Sequence, residues 1–300
     1  MLVIEPLDGD LTRVGSLPER AFGGRQTSIA LPRRPSTASA REAKIVVIGD
    51  SFSQRGLWQY SAFGAEEKYV TFAYGQICED IGNLFRKLGL EPTVVVVETV
   101  ERMFAERMFS SCKKSQLRSL AASKEEFSDS REMNIFRGSF SAKYVGGSLL
   151  YFVNGGEQHR MGHNGGVFVR EIELGCMYFS HRDCKYGLFL GDDYRFPKLP
   201  LTVYRSPILK YLKATGVKKI VVVSIPNKSS IYLQSVSDAR EADEYLQAFA
   251  RRNGVEVVPV HSNLIKDKRA ILDLYLPNDT HLSARGMSLL GGYVRERLRE

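Results

Sequence analysis

Five short runs of β-branched and other apolar residues recur along the chain, and stretches with helical spacing separate them. The runs cover residues 44–49, 68–73, 92–97, 219–225 and 255–260. The first of them, 44–49, contains an unbroken apolar run, which is typical of a strand that is buried on both faces of a parallel sheet. Apolar residues at intervals of three and four predict helices over 53–64, 77–88, 113–124, 207–215, 237–253 and 284–298.

Strands that alternate with helices predict an α/β fold, a three-layer α/β/α sandwich around a mainly parallel, doubly wound, five-stranded sheet. Residues 105–200 break this rhythm with glycine- and aromatic-rich pieces, which predict short antiparallel strands and long loops inserted over the carboxyl edge of the sheet. This insertion is either a cap that contacts substrate or a structural elaboration. Residues 1–43 lack sustained periodicity and predict an irregular arm, on the surface or partly ordered, ahead of a domain at 44–300.

Composition adds that the protein is an ordinary globular one, with 43% hydrophobic and 25% charged residues. The net charge of +8 suits a polyanionic partner, although scattered charge of this size also describes a solvated surface. We find no nucleic-acid recognition motif and expect no nucleic-acid partner. No apolar run is long enough to span a bilayer, and MLVIEPLDGD lacks the charged leader and apolar core of a signal peptide.

Two of the four cysteines, Cys176 and Cys184, flank a short segment. They predict either a disulfide in an oxidising compartment or two buried thiols. His159 and His163 have a metal-like spacing, but no further ligand pattern completes a site, so we expect neither a metal nor another cofactor.

Candidate chemistry begins at Gly49-Asp50-Ser51, directly after the first strand. The glycine permits a tight turn, and the turn leaves Ser51 at the carboxyl end of the sheet, where open α/β sheets build their sites. Asp and Ser after a strand can also simply cap a helix.

A partner for this serine occurs just before the last predicted helix, in Asp279-Thr280-His281. A serine hydroxyl needs a base within hydrogen-bond distance, and the base needs a group that orients it. Residues two apart in an extended or turn segment can point the same way, so Asp279 could hold one imidazole nitrogen of His281 while the other faces Ser51. A helix cap is the alternative explanation here too.

Together, these motifs resemble those of the SGNH (GDSL-type) hydrolase superfamily, and most closely its branch of alginate O-acetyltransferases and related exopolysaccharide-acetylation proteins. The matching pieces are GDSFS with Trp58 after it, VVVVETVERMF, VVVSIPNKSSIY and NDTHLSARG. The usual Gly-x-Asn-Asp after the third strand is absent, and 98–102 stand there instead. In the alginate enzymes, moreover, the Asp-x-His motif precedes the serine, whereas here it follows it.

The resemblance implies that Ser51 is the nucleophile, His281 the general base and acid, and Asp279 the orienting carboxylate. It also implies an oxyanion hole from the backbone N–H groups of Ser51 and Gly75. Because the asparagine donor of the family is missing, Arg102 or Asn154 is a candidate replacement.

Further candidates for contact with substrate lie near the predicted strand ends or in the insertion: Trp58, Glu98, Asn154, Lys228 and Tyr232. Core packing is the alternative for Trp58, and a plain surface position is the alternative for Lys228 and Tyr232.

The resulting hypothesis is serine-dependent transfer of an acyl group, acetyl by resemblance, to a polysaccharide hydroxyl outside the cytoplasm. The partners implied are a polysaccharide acceptor and an acetyl donor, for which a membrane acyltransferase is one source. A carbohydrate acetylesterase of the same fold and a catalytically silent polysaccharide-binding module are the alternatives.

Overall fold

A computed structural model of the chain describes residues 9–15, 17–24, 40–54, 56–64, 67–74, 81–109, 163–164, 166–195 and 203–300. The described strands are β1 Ile45–Gly49, β2 Tyr69–Ala73, β3 Val94–Val100, β4 His163–Asn164, β5 Val167–Glu171, β6 Tyr186–Leu190, β7 Lys219–Ile225 and β8 Glu256–Val258. The described helices are α1 Asp10–Gly15, α2 Glu19–Phe22, α3 Ser51–Gln54, α4 Leu57–Phe63, α5 Ile81–Leu88, α6 Phe104–Phe109, α7 Gly175–Tyr178, α8 Asp192–Arg195, α9 Pro207–Ala214, α10 Lys228–Tyr232, α11 Val236–Asn253, α12 Val260–Asp267 and α13 Ala284–Arg299.

Five strands form one sheet in the order β2-β1-β3-β7-β8, and every pair is parallel. Alternate residues of one strand enter two separate cores, since Val46 and Ile48 pack on one side and Val47 on the other. Helices α5, α6, α9 and α11 cover the face of Val46 and Ile48, and α4, α12 and α13 cover the face of Val47. The predicted α/β class with a five-stranded sheet is confirmed, and the arrangement is compatible with a three-layer sandwich.

Three predicted elements differ in their bounds. The helix predicted over 53–64 is two short helices, α3 and α4, that meet near Gly56, whose φ of 69° is left-handed. Strand β3 continues to Val100, so Glu98 lies inside the sheet and not beyond it. The strand predicted over 255–260 ends at Val258, and α12, which we did not predict, begins at Val260. The helix predicted over 113–124 lies outside the described residues.

The described part of the predicted insertion contains antiparallel strands, as the sequence indicates. Strands β4, β5 and β6 form a three-stranded sheet, with β5 in the middle. Phe189 of β6 and Phe179, which follows α7, belong to the core that also holds Val47 of the main sheet, while Val167 and Val169 face a third, smaller core.

The N-terminal segment, which we define as residues 9–15 and 17–24, supplies the other half of that third core. Its side chains Leu11, Leu17 and Phe22 are fully buried against the small sheet. The prediction of an irregular arm is therefore wrong for α1 and α2, which are helical and packed. Among the described residues, no helix is long and apolar enough to cross a membrane.

Candidate functional site

The main sheet places Ser51 at its topological switch point. The chain leaves β1 for β2 on one side and returns to β3 on the other, so the connections diverge at the carboxyl ends of β1 and β3. Ligands of open α/β sheets bind at such a point. Ser51 is the first residue of α3, directly after β1, and it is exposed.

Asp50 fixes the turn that presents Ser51. One of its carboxylate oxygens accepts the backbone N–H of Phe52 at 3.0 Å, which caps α3. The other accepts the N–H of Val100 at 3.0 Å and lies 2.6 Å from Arg107 Nη1. The helix-cap alternative thus describes Asp50 correctly, and capping by Asp50 leaves the Ser51 hydroxyl free for another partner.

Glu98 anchors the same turn from below, and its side chain is fully buried. Its carboxyl accepts the N–H of Asp50 at 3.1 Å and the hydroxyl of Ser53. A side chain at Gly49 would overlap both Ser53 and Glu98, so this close approach requires glycine. Burial and the charge of Asp50 raise the pKa of Glu98 well above its usual value, which favours the protonated form. The prediction that Glu98 contacts substrate is wrong.

His281 and Asp279 complete a hydrogen-bonded chain with Ser51. His281 Nε2 lies 2.7 Å from Ser51 Oγ, and His281 Nδ1 lies 2.6 Å from Asp279 Oδ1. An ionised carboxylate only accepts hydrogen bonds, so we assign the Nδ1 proton to the bond with Asp279, which leaves Nε2 to accept from the serine. The ring of Phe52 packs on the imidazole with centroids 4.7 Å apart. The structure thus brings together the three residues that the two motifs indicate.

Lys228 supports the loop that carries this pair. It is buried, and its ammonium donates to the carbonyls of Leu276 at 2.8 Å, Pro277 at 2.7 Å and Asp279 at 3.3 Å. Burial lowers its pKa to about 7, an effect that nearby carboxylates, including Asp10 and Asp279, oppose. Substrate contact by Lys228 is a wrong prediction, because its ammonium binds the protein's own backbone, and the alternative of a plain surface position is wrong because the side chain is buried.

Asp10 is a carboxylate at this site that sequence reasoning missed. It comes from α1, and its Oδ2 lies 3.9 Å from His281 Nδ1. The only signal in the sequence was an acidic residue ahead of Leu11, inside a stretch without periodicity. Nothing in that stretch indicates which part of the fold it covers.

The remaining predicted contact residues fall in three groups. Trp58 is fully buried and donates its indole N–H to Ser53 Oγ at 3.2 Å, so it belongs to the core. Tyr232 is also buried, and its hydroxyl accepts the N–H of Tyr275 at 3.3 Å. Substrate contact by Trp58 and Tyr232 is therefore a wrong prediction. Gly75 and Asn154 lie outside the described residues.

Arg102 follows β3 at the carboxyl edge of the sheet. Its Nη1 lies 3.3 Å from Asn227 Oδ1 and 3.5 Å from Asp193 Oδ1. Asp193 comes from α8, directly after β6, so this contact joins the small sheet to the edge of the main one. A role for Arg102 as an oxyanion donor stays a prediction.

A second buried ionic cluster surrounds His261, which the sequence did not single out. His261 lies 3.6 Å from Glu101 Oε2 and 3.5 Å from Asp243 Oδ1. Burial lowers the pKa of His261, but the two carboxylates outweigh this and raise it to about 9. A protonated histidine between two buried carboxylates fits a structural role.

Asp10, Asp279 and His281 have ligand atoms within 4.8 Å of one another, a separation that could suit a metal ion. Each group is already engaged, however, because His281 Nδ1 bonds Asp279 and the Asp10 carboxylate accepts from Thr280. We therefore assign no metal to them. His159 lies outside the described residues, as does the side chain of His163.

Cys176 and Cys184 form a disulfide, with their Cα atoms 4.7 Å apart. Of the two alternatives that the sequence left open, the structure adopts the paired one. The bond closes the turn that joins α7 to the start of β6.

Comparison of the chain with protein-family models, with curated proteins and with solved structures found no match.

Proposed function

We propose that the protein transfers an acyl group, acetyl by resemblance, to a polysaccharide hydroxyl through a covalent ester on Ser51. The single observation that carries this proposal is the unbroken chain from an exposed Ser51 Oγ to His281 Nε2 at 2.7 Å and from His281 Nδ1 to Asp279 at 2.6 Å. This is the geometry that serine acyl transfer requires.

In the first half-reaction, Ser51 Oγ attacks the carbonyl carbon of the acyl donor while His281 Nε2 takes the serine proton. The tetrahedral intermediate then expels the donor's leaving group, which receives that proton from His281. In the second half-reaction, an acceptor hydroxyl attacks the Ser51 ester, His281 takes the acceptor's proton, and Ser51 regains it on leaving. Asp279 holds the Nδ1–H of His281 throughout and favours the transient imidazolium.

The oxyanion of each intermediate needs backbone or side-chain donors. The N–H of Ser51 is a candidate because the first N–H groups of a helix have no acceptor within that helix. Removing one oxyanion donor typically costs about 2.7–4 kcal/mol of transition-state stabilisation. Gly75 and Arg102 remain the candidates for further donors.

Two observations support a polysaccharide acceptor outside the cytoplasm, in addition to the resemblance to exopolysaccharide-acetylation proteins. The net charge of +8 suits an anionic polymer. The Cys176–Cys184 disulfide suits an oxidising compartment such as the periplasm. An acetyl donor, supplied for example by a membrane acyltransferase, completes the proposal.

Substituting the site residues tests the triad. We expect Ser51→Ala and His281→Ala to lower the rate of p-nitrophenyl acetate cleavage by at least about 10³-fold, because neither variant can form the activated nucleophile. Ser61→Ala, a serine on α4 whose hydroxyl bonds Ser288, serves as the matched control and should retain the wild-type rate. Turnover like that of the wild type in Ser51→Ala would refute the proposal.

A second measurement separates transferase from esterase. The wild-type protein is incubated with the acetyl ester and an unacetylated polysaccharide, and the products are weighed by mass spectrometry. Acetylated polymer that is absent with Ser51→Ala supports the transferase. Free acetate as the only product in the presence of polymer points to the esterase alternative.

A further inference from the structure

The N-terminal segment contacts the Asp-x-His loop, residues 276–283, through its backbone as well as its side chains. The N–H of Leu11 donates to the carbonyl of Asn278 at 3.0 Å, and the Asn278 amide in turn bonds Glu19. A side chain at Gly9 would overlap Asn278, so the two segments touch at that point. Since Leu11 is fully buried, this contact belongs to the packed fold.

Asp10 bonds the middle residue of the Asp-x-His motif. Its carboxylate accepts the backbone N–H of Thr280 at 2.8 Å and also the Thr280 hydroxyl. Its own N–H points to Asp279 Oδ2 at 3.4 Å. Thr280 lies between Asp279 and His281, so these contacts restrain both neighbours at once.

The imidazole of His281 therefore faces two carboxylates on its Nδ1 side. Asp279 makes the hydrogen bond at 2.6 Å, and Asp10 lies 3.9 Å away, outside hydrogen-bond range but close enough for a strong Coulomb interaction. Lys228, whose ammonium is bound to loop carbonyls, interacts electrostatically with both carboxylates. No other described charged group within ion-pair distance faces the His281 ring.

We propose that Asp10 is a positioning residue of the catalytic site, which holds Thr280 and provides a second negative charge for the imidazolium that forms at His281. This inference rests on the proposed function. The N-terminal segment thereby becomes part of the active site, although it lies at the opposite end of the chain from His281.

The negative charge of Asp10 is repelled by Asp279 but attracted by a protonated His281. Burial and the charge of Asp279 raise the pKa of Asp10, and the hydrogen bonds from Thr280 and the charge of His281 partly offset this. The ionised form of Asp10 is thus favoured most when His281 is protonated, which is the state that follows proton transfer from Ser51. Asp10 therefore favours the charged intermediate over the resting site.

The test is Asp10→Asn, which retains an oxygen acceptor for Thr280 N–H but removes the charge. We expect kcat/KM for p-nitrophenyl acetate to fall roughly tenfold and the acidic midpoint of its pH profile to move down by about one unit. Asp10→Glu keeps the charge and should restore the midpoint. Glu244→Gln, an exposed position on α11, removes the same charge elsewhere and should change neither quantity.

A purely structural role for Asp10 would lower the rate without moving the midpoint, so an unmoved midpoint overturns the proposal. A wild-type rate in Asp10→Asn overturns it as well. Chemical denaturation of each variant checks that the fold is retained.

Histidine NMR makes the result independent of activity. The His281 signal, identified by its absence in His281→Gln, is titrated in the wild type and in Asp10→Asn. We expect the midpoint of the ring titration to fall in Asp10→Asn by about the same amount as the acidic midpoint of the kcat/KM profile, since both report the free enzyme. If the wild type cleaves no ester, the proposed function fails. The titration still tests the interaction between Asp10 and His281, because a midpoint that does not move overturns it and a lowered midpoint supports it.

Discussion

At the scale of single residues, the site depends on buried charges that touch no solvent. Lys228 is an example, because its ammonium donates hydrogen bonds to three carbonyls of the Asp-x-His loop. Such a group is costly to bury, and the cost is recovered only while every partner is present. Asp273, three residues before this loop, has a left-handed backbone conformation with φ of 55°, and its carboxylate accepts the N–H of Ser180.

We expect Lys228→Met to destabilise the fold and to impair the site together. The substitution keeps most of the side-chain volume but removes one donor from each of three carbonyls, of which that of Leu276 still accepts the N–H of Asp279 at 3.2 Å. Losing buried hydrogen bonds of this kind costs about 1–3 kcal/mol. Chemical denaturation measures the loss, and ester cleavage well below the melting temperature measures the effect on the site. The exposed Lys210 on α9 gives the matched control, Lys210→Met. Equal stability of the two variants would contradict the structural role of Lys228.

At the scale of elements, two turns that are far apart in sequence are each held by several neighbours. The Ser51 turn is held by Glu98 of β3 and, through Asp50, by Arg107 of α6. The Asp-x-His loop is held by α1 from one side and by Lys228 of α10 from the other. Neither turn belongs to a long helix or strand, so its geometry depends on these side-chain contacts.

The small sheet contacts α1 and α10, which hold the Asp-x-His loop, and we expect the Cys176–Cys184 disulfide beside the sheet to stabilise the fold. Cys176 and Cys184 are 8 residues apart. Closing a loop of this length stabilises a fold by about 2–3 kcal/mol in the chain-entropy model. The double variant Cys176→Ser, Cys184→Ser should lose about this much free energy of unfolding. A reducing agent should lower the melting temperature of the wild type but not that of the double variant; equal sensitivity of both would contradict this assignment.

At the scale of the whole molecule, the parallel sheet brings the two ends of the chain to one point. Ser51 and His281 are 230 residues apart in sequence and meet because β1 lies beside the switch point. The N-terminal segment joins them there. The His261 cluster joins Glu101, directly after β3, to Asp243 of α11 and His261 of α12.

This cluster predicts how stability depends on pH. The pKa of His261 is raised to about 9 from an ordinary value of 6.5. A raised pKa in the folded state contributes stability that is fully present below pH 6.5 and is lost as the pH rises through about 9. The contribution corresponds to about 3 kcal/mol.

The measurement compares wild type with His261→Gln by urea unfolding at intervals from pH 6 to pH 10. We expect the difference in unfolding free energy to be largest at the acidic end and to shrink through this window. The exposed control Arg252→Gln, on the last turn of α11, should show a difference that stays flat. A difference for His261→Gln that is independent of pH would mean that the ring is neutral in the folded protein.

Much of the fold was predictable because its signals are local. An unbroken apolar run specifies a strand that is buried on both faces, and β7 begins and ends at the predicted residues. The helix over α11 was predicted within one residue, since its apolar stripe and the glycine after it are local features. The end of β3 was not, because Glu98 reads as a surface residue and only its partners Asp50 and Ser53 allow its burial.

Residue types a few positions apart were enough to predict the α/β architecture and the two motifs that contain Ser51, Asp279 and His281. The folded chain was needed to show that these groups meet, that Lys228 and Glu98 support the site instead of contacting substrate, and that Asp10 lies beside His281. The physical reason is that burial and charge pairing are properties of neighbours in space. Side chains that look alike in sequence differ in role according to which distant segment covers them.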